Sequence, residues 1–295
     1  LNSRAIKSKI KGVKNTKKIT KAMEMIAAAK MRKAIQEASN ARRYTQLATS
    51  IVVELANQPD INHPIFKTSN YGKELIVIIA ANRGLCGSYN TNIAIALKKY
   101  IQERTSQDST IEFMAVAINK KAGQIAKRLG LEILEFYQDF PEKYDLNDVL
   151  PITESISRKF LNEGYAKVSV AYTRFISSLH QESEIATILP FSEGTFLPQT
   201  ISQEADSQQE DYKLEPNLNQ VLNFALSRIL EIQVFQALLE SSASEHSSRM
   251  VAMKNASDNA GDMVSSLTLE YNKSRQAMIT QEIAEISNAA AAITG

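Results

Sequence analysis

The chain has 295 residues, 44% of them hydrophobic and 22% charged, and a formal net charge of +2, so it is an ordinary folded protein whose total charge names no partner. Cys86 is the only cysteine, which excludes an intrachain disulfide and suits a reducing compartment. No apolar run reaches the ~18 residues of a membrane span, and the charged start lacks the apolar segment of a signal peptide.

The first predicted element is a helix over residues 1–58. It contains no proline and a single glycine, Gly12, and is rich in Ala, Lys, Met and Glu. Its thirteen basic and three acidic residues give it +10, which suggests an acidic partner and is also compatible with a solvated helix face. A loose apolar seam runs Ile6, Ile10, Val13, Ile19, Met23, Ile26, Met31, Ala34, Ala38 and Ala41. The small residues of its second half would let another helix approach closely.

Residues 59–190 alternate strand and helix. Strands are predicted at Glu74–Ala81, Ile111–Ile118, Leu131–Tyr137, Lys167–Phe175 and Glu184–Leu189, with helices at Asn90–Arg104, Lys120–Leu129 and Leu146–Asn162. Continuous runs such as "LIVII" suit strands covered on both faces, so the middle is read as a small open α/β domain with a mostly parallel sheet. After the first strand comes "NRGLCGSYN". A dinucleotide loop needs three glycines as G-x-G-x-x-G, and a phosphate loop needs a Lys after its second glycine. Here Gly84 and Gly87 are three apart, with no third glycine and no such Lys. The two glycines are read as serving a tight strand-to-helix turn, with Arg83 and Ser88 free to serve a protein contact. Residues 191–216 are polar and acidic and read as a linker or partner-contacting loop.

The last predicted element is a helix over residues 217–295, proline-free and with net charge −3. Steps of four and three from Leu218 meet Leu222, Ala225, Ile229, Ile232, Gln236, Leu239, Ala243, His246, Met250, Met253, Ser257, Ala260, Val264, Leu267 and Tyr271, and only Gln236, His246 and Ser257 break the seam. So long a 3–4 repeat reads as a coiled coil. At 1.5 Å per residue the two end helices would be roughly 85 and 115 Å long. The middle alone would have a radius of gyration near ~15 Å, so the helices should project from it as an antiparallel pair. The last helix has an excess of about 20 residues, and an unpaired helix of that length is marginal in water, so its tip either frays or is sheathed. Ala289, Ala290, Ala291 and Ala292 make that tip a smooth apolar cylinder, suited to turning inside a sleeve.

Chemistry is sparse. His63, His180 and His246 have no ligand spacing, Cys86 has no paired base, and no paired carboxylates or nucleophile motif is found. No catalytic, cofactor or metal residue is assigned. A nucleotide-using enzyme and a nucleic-acid-binding coiled coil are the rival readings; the incomplete glycine pattern opposes the first, and the second would need salt-dependent affinity.

Three stretches together resemble one family. "IKSKIKGVKNTKKITKAMEMIAAAKMRKA" (Ile6–Ala34) is similar to the N-terminal helix of the gamma subunit of rotary F-type ATP synthases. "RMVAMKNASDNAGDMV" with "LEYNKSRQAMITQEIAEI" resembles its C-terminal helix, and "RGLCGSYN" resembles the loop after the first strand of its central domain. The resemblance implies a non-catalytic central rotor shaft that couples proton or sodium flow to ATP synthesis or hydrolysis. Its partners would be three alpha and three beta subunits, an epsilon subunit and the membrane c-ring, with neither nucleic acid nor a small-molecule substrate. By motif, Arg275, Gln276 and Thr280 would meet a catch loop of beta, and Met23 would lie near beta's acidic lever, which the basic first helix suits. Tyr212, Lys213 and Glu215 would belong to a foot on epsilon and the ring. The implied location is the cytoplasmic face of a bacterial plasma membrane, or alternatively the matrix side of a mitochondrial inner membrane. Two departures stand out. Ala289-Ala290 replaces the family's usual Gly-Ala, and with Cys86 alone the inserted cysteine switch of photosynthetic relatives cannot exist.

Overall fold

The computed structural model describes residues 3–56, 64–66, 72–191 and 218–294, of which 42–56, 64, 218–223 and 291–294 are described as backbone only. Helix α1 (Ser3–Ala56) is followed by a short 3-10 turn (Pro64–Phe66), then β1 (Lys73–Ile79), α2 (Tyr89–Gln107), β2 (Glu112–Ile118), α3 (Lys120–Arg128), β3 (Glu132–Tyr137), α4 (Leu146–Asn162), β4 (Tyr165–Phe175), β5 (Gln181–Leu189) and α5 (Leu218–Thr294). The five strands expected from sequence are all present, and β5 begins three residues earlier than its apolar run. Two compact units are distinguished, one of residues 1–28 with 249–295 and the other of residues 29–248.

The sheet belongs to the second unit. Its order is β3-β2-β1-β4-β5, parallel except for β5, which returns antiparallel to β4. Alternation along β1 explains why "LIVII" had to be apolar throughout. Leu75, Val77 and Ile79 point into one core, with Val149, Ile152 and Ile156 of α4 and Leu226, Ile229, Leu230 and Val234 of α5. Ile76 and Ile78 point into the other, with Ile93 and Leu97 of α2 and Ala122, Ile125 and Ala126 of α3. Each fully buried aliphatic side chain contributes about 1.5–3 kcal/mol. Local signals place the helices between. Asp145 caps α4 by accepting from the amides of Asn147 and Asp148, while Asp148 accepts from the amide of Asp145, a reciprocal capping box. The buried Glu74 of β1 is answered by Arg104 and by the Tyr100 hydroxyl at 2.9 Å, so α2 is tied to the sheet at its far end.

The end helices form an antiparallel coiled coil. On α5 the seam follows the sequence: Ile229, Ile232, Leu239, Ala243, Met253 and Ala260 are buried, and so are the three polar residues that interrupt it, Gln236, His246 and Ser257. On α1 one part of the expected seam is wrong. Ile19 and Ile26 are 61% and 57% exposed, while Thr20 and Ala27 are buried. An unbroken alternation of four and three from Ile6 runs through Val13, Lys17, Thr20, Glu24, Ala27, Met31, Ala34 and Ala38, so the regular step prevails over local hydrophobicity. Thr20 satisfies its own hydroxyl by donating to the carbonyls of Thr16 and Lys17. Lys17 crosses the partner helix at Gly261, where a Cβ would stand 2.8 Å from its ammonium.

Candidate functional site

Two places in the structure bear on function: the carboxyl end of the sheet, and the outward faces of the end helices.

In an open α/β sheet a ligand sits beyond the carboxyl ends of the strands where the strand order reverses. Here that point lies between β1 and β4. The backbone groups that leave β1 are already engaged. Ala81 N–H donates to Asn90 Oδ1 at 3.1 Å, the Ala81 carbonyl accepts from Lys121 N–H at 3.1 Å, and Ala80 O accepts from Asn119 Nδ2 at 2.9 Å. Asn90 Nδ2 also reaches Cys86 Sγ at 3.2 Å, closing the turn on itself. Gly87 takes φ +58°, a conformation that suits glycine, and Leu85 takes φ +62° with its side chain exposed. Tyr89, the first residue of α2, is buried; that burial, with Glu245 nearby, pushes its hydroxyl pKa well above the usual value even though Ser241 hydrogen-bonds it. Across the crevice, Ser241 and Ser244 of α5 occupy the end of β4: Thr173 N–H donates to Ser241 Oγ at 3.2 Å and Ser244 Oγ donates to the Thr173 carbonyl at 3.1 Å. Helix α5 thus takes up the backbone groups of Thr173 near the end of β4.

Burial opposes ionisation of Glu135, but hydrogen bonds from Ser155, Tyr137 and Lys159 outweigh it and lower its pKa. Among the described residues no group of three His, Cys, Asp or Glu side chains could hold a metal ion.

The outward faces differ. Beyond Ser274 every described side chain of α5, up to Ala290, is exposed. Arg275, Gln276 and Thr280 lie there, and the Thr280 hydroxyl donates back to the Gln276 carbonyl at 3.0 Å. Ile279, Ile283 and Ile286 are 45%, 61% and 70% exposed and fall on one face with Gln276 and Ala290. The inner seam meanwhile turns polar, through Gln281, Glu285 and Asn288. The apolar face has swung round the helix, away from the pairing side, where the sequence seam was expected to continue at the exposed Met278. On α1, Met23 is half-buried, Ile19 and Ile26 face outward, and Lys7, Lys9, Lys11, Lys14, Lys18 and Lys21 are exposed. Ala289 and Ala290 are exposed on helix, and Ala291 and Ala292 continue it as backbone. Tyr212, Lys213 and Glu215 lie outside the described residues.

A family model described as ATP synthase matches residues 2–293. The ATP synthase gamma chain of Cupriavidus pinatubonensis is 37% identical over 292 residues, covering 99% of each chain. The chain belongs to the ATP synthase gamma chain family. The gamma chain of Paracidovorax citrulli is 38% identical over 295 residues, covering 98% of each chain. Among solved structures, the central stalk of the Tetrahymena thermophila mitochondrial ATP synthase is similar at 26% identity and a TM-score of 0.59, covering 81% of this chain and 99% of that one. A Euglena gracilis mitochondrial ATP synthase chain shares the fold at 20% identity and a TM-score of 0.66, covering 99% and 94%. As a gamma chain the protein is a non-catalytic subunit with the fold of the central stalk.

Sequence reasoning passed over the serines of α5. "SSASEHSS", Ser241–Ser248, places five serines in eight residues of a helix interior. Serine is only a middling helix former and prefers caps, so such a run signals that the hydroxyls have partners off the helix.

Proposed function

We infer that this chain is the turning shaft of an F-type ATP synthase, transmitting motion between an ion-driven ring in the membrane and an alpha-beta hexamer that makes or hydrolyses ATP. The observation that carries the reading is the family match over residues 2–293, taken with the bare apolar face of α5 past Ser274. A helix that keeps three isoleucines in water at one-turn spacing is built to be enclosed by another protein. The partners are three alpha and three beta subunits around the coiled coil, with epsilon and the c-ring at the other end. Arg275, Gln276 and Thr280 take the catch contact with beta. Met23, flanked by exposed Lys18, Lys21, Ile19 and Ile26, takes the acidic lever of beta; a basic surface with apolar insets suits an acidic amphipathic segment. Tyr212, Lys213 and Glu215 take the foot, and Ala289 to Ala292 the bearing at the tip.

The shaft acts without touching nucleotide. At any instant its asymmetric surface meets each beta subunit differently, and only contacts that differ between conformations can shift a site's equilibrium. Rotation carries the difference round the hexamer. The complex works on the cytoplasmic face of a bacterial plasma membrane, a reading supported by the bacterial origin of the similar gamma chains. The test is reconstitution: the purified chain mixed with alpha and beta should give a complex with one shaft per three catalytic subunits and ATP-driven rotation of a probe on the α/β domain. Failure to enter the hexamer, or ATP turnover by the chain alone, refutes the assignment.

A further inference from the structure

Several described helical hydroxyls of this protein bond within their own helix, whereas Ser155 of α4 reaches Glu135 of β3 and the serine run of α5 reaches out repeatedly. Thr16, Ser265, Thr268 and Thr280 each bond the carbonyl four residues back in their own helix. Ser241, Ser244 and Ser247, all buried, reach out of the helix instead. Ser241 and Ser244 hold the N–H and carbonyl of Thr173. Ser247 Oγ donates to the Ser178 carbonyl at 2.6 Å and accepts from Gln181 Nε2 at 3.3 Å, and Ser248 Oγ donates to Gln181 Oε1 at 3.1 Å. The hydroxyls lie on three successive turns of one helix face and meet β4 and then the β4–β5 hairpin.

The strand has a reason to receive them. The pairing of β4 with β1 ends at Ala171 opposite Ile78, while β4 continues to Phe175. Thr173 pairs with Ser183 of β5 through side chains, Oγ1 to Oγ at 3.4 Å, the closeness of a pair whose backbone groups point away from each other. Its N–H and carbonyl therefore face the edge that β1 has vacated, and a buried backbone group must be satisfied. Helix α5 supplies what a strand would have supplied. In the same unit, Lys30 of α1 pairs with Glu142 in the connection between β3 and α4.

We propose that this serine ladder, with the Lys30–Glu142 pair, is the torsional key that locks the shaft helices to the α/β domain, so that Ser241, Ser244 and Ser247 are positioning residues for torque; the proposal rests on the rotor reading above. Apolar packing of Leu226, Ile229, Leu230 and Val234 supplies most of the adhesion of α5 to the sheet, and the hydrogen bonds add contacts of fixed direction. Hydrogen bonds fail steeply with angle and distance. Two bonds to one residue, made from consecutive turns, both break when the helix rolls or shifts along its axis. Torque carried along α5 between Ser241 and Ser248 passes to the sheet across this face, where the contacts are directional.

The experiment uses the whole ATP synthase in liposomes, carrying Ser241→Ala, Ser244→Ala and Ser247→Ala together. ATP hydrolysis should stay within about twofold of the parent, because the catalytic contacts are untouched. The angular fluctuation of a probe on the α/β domain during a catalytic pause should widen by about twofold or more, and ions pumped per ATP under load should fall. Ser265→Ala, which removes a hydroxyl bonded within its own helix, should change neither. The single Ser244→Ala variant carries the same two measurements if the triple does not fold. Parental fluctuation and pumping ratio in an assembled variant overturn the key, including the case where thermal stability alone falls. Failure of the parent chain to assemble or rotate would instead refute the rotor reading.

Discussion

Replacing Ile279, Ile283 and Ile286 together by alanine tests whether the bare face of α5 is an interface. Full burial of an isoleucine is worth about 1.5–3 kcal/mol. These three are 45%, 61% and 70% exposed in the chain by itself, so enclosing them would add about 3–5 kcal/mol beyond what the fold already uses. Truncation to alanine removes most of that surface, which amounts to about 2–3 kcal/mol, or roughly 30- to 150-fold in the affinity of the shaft for the alpha-beta hexamer. The isolated chain should suffer little, because alanine is the better helix former and the three side chains are largely exposed. Helix content by circular dichroism should therefore stay level or rise while binding to immobilised hexamer weakens. Gln281→Ala with Glu285→Ala, on the opposite side of the same turns, serves as the comparison and should leave affinity near the parent's. Equal affinities for the triple-alanine chain and the parent, or a loss shared equally by the Gln281/Glu285 variant, would refute the reasoning.

Gly261→Ala should stabilise its unit by somewhat under ~1 kcal/mol, since the new Cβ meets only the movable end of Lys17 at 2.8 Å and helix propensity improves. Gly123→Ala should destabilise by about 1 kcal/mol instead, because its Cβ would meet the Phe136 ring at 2.8 and 2.9 Å; hydrogen-exchange protection of each region separates the two, and stabilisation by both would contradict the packing. Arg275→Ala with Gln276→Ala should lower coupled ATP turnover and ATP-driven pumping of the assembled complex while leaving the melting of the free chain unchanged, both residues being exposed; unchanged turnover and pumping remove the catch assignment. Asp at both Ala290 and Ala291 should harm assembly and turnover more than deletion of residues 288–295, because a charge inside an apolar sleeve carries a desolvation cost at each step; better turnover by the Asp variant than by the deletion rules out the apolar bearing.

The strands and short helices were legible because each carries its own local signal. The run "LIVII" can only be a strand buried on both faces, and the reciprocal Asp145 and Asp148 cap marks the start of α4. The α5 seam was legible because hydrophobic periodicity and heptad step agree over most of its length. On α1 they disagree between Val13 and Met31, and sequence reading followed the larger side chains, Ile19 and Ile26. The pairing kept the step and accepted Thr20 and Ala27, because a helix cannot rotate locally to bury an isoleucine without breaking register on either side. The serine ladder was illegible for another reason. A serine in a helix gives no hint of which carbonyl it addresses, and here the partner is Thr173, some 70 residues away in sequence. Arg275, Gln276 and Thr280 are exposed, and the catch contact proposed for them involves a surface outside this molecule.

Helix α5 follows all five strands in sequence, yet Leu226, Ile229, Leu230 and Val234 supply one wall of the sheet's core. During synthesis all five strands are made before that wall exists. Leu75, Val77, Val168 and Val170 then have α4, Ile65 and Phe191 but not α5 in their core, and the edge of β4 at Thr173 stays unsatisfied until Ser241 and Ser244 emerge. The α/β unit therefore cannot mature on the ribosome ahead of the shaft, and a nascent chain stalled before residue 226 presents a half-roofed parallel sheet, the kind of surface that recruits chaperones or aggregates. The geometry that makes one helix serve both core and coil also makes synthesis of α5 as far as Ser247 a condition for closing the sheet's core and the edge of β4.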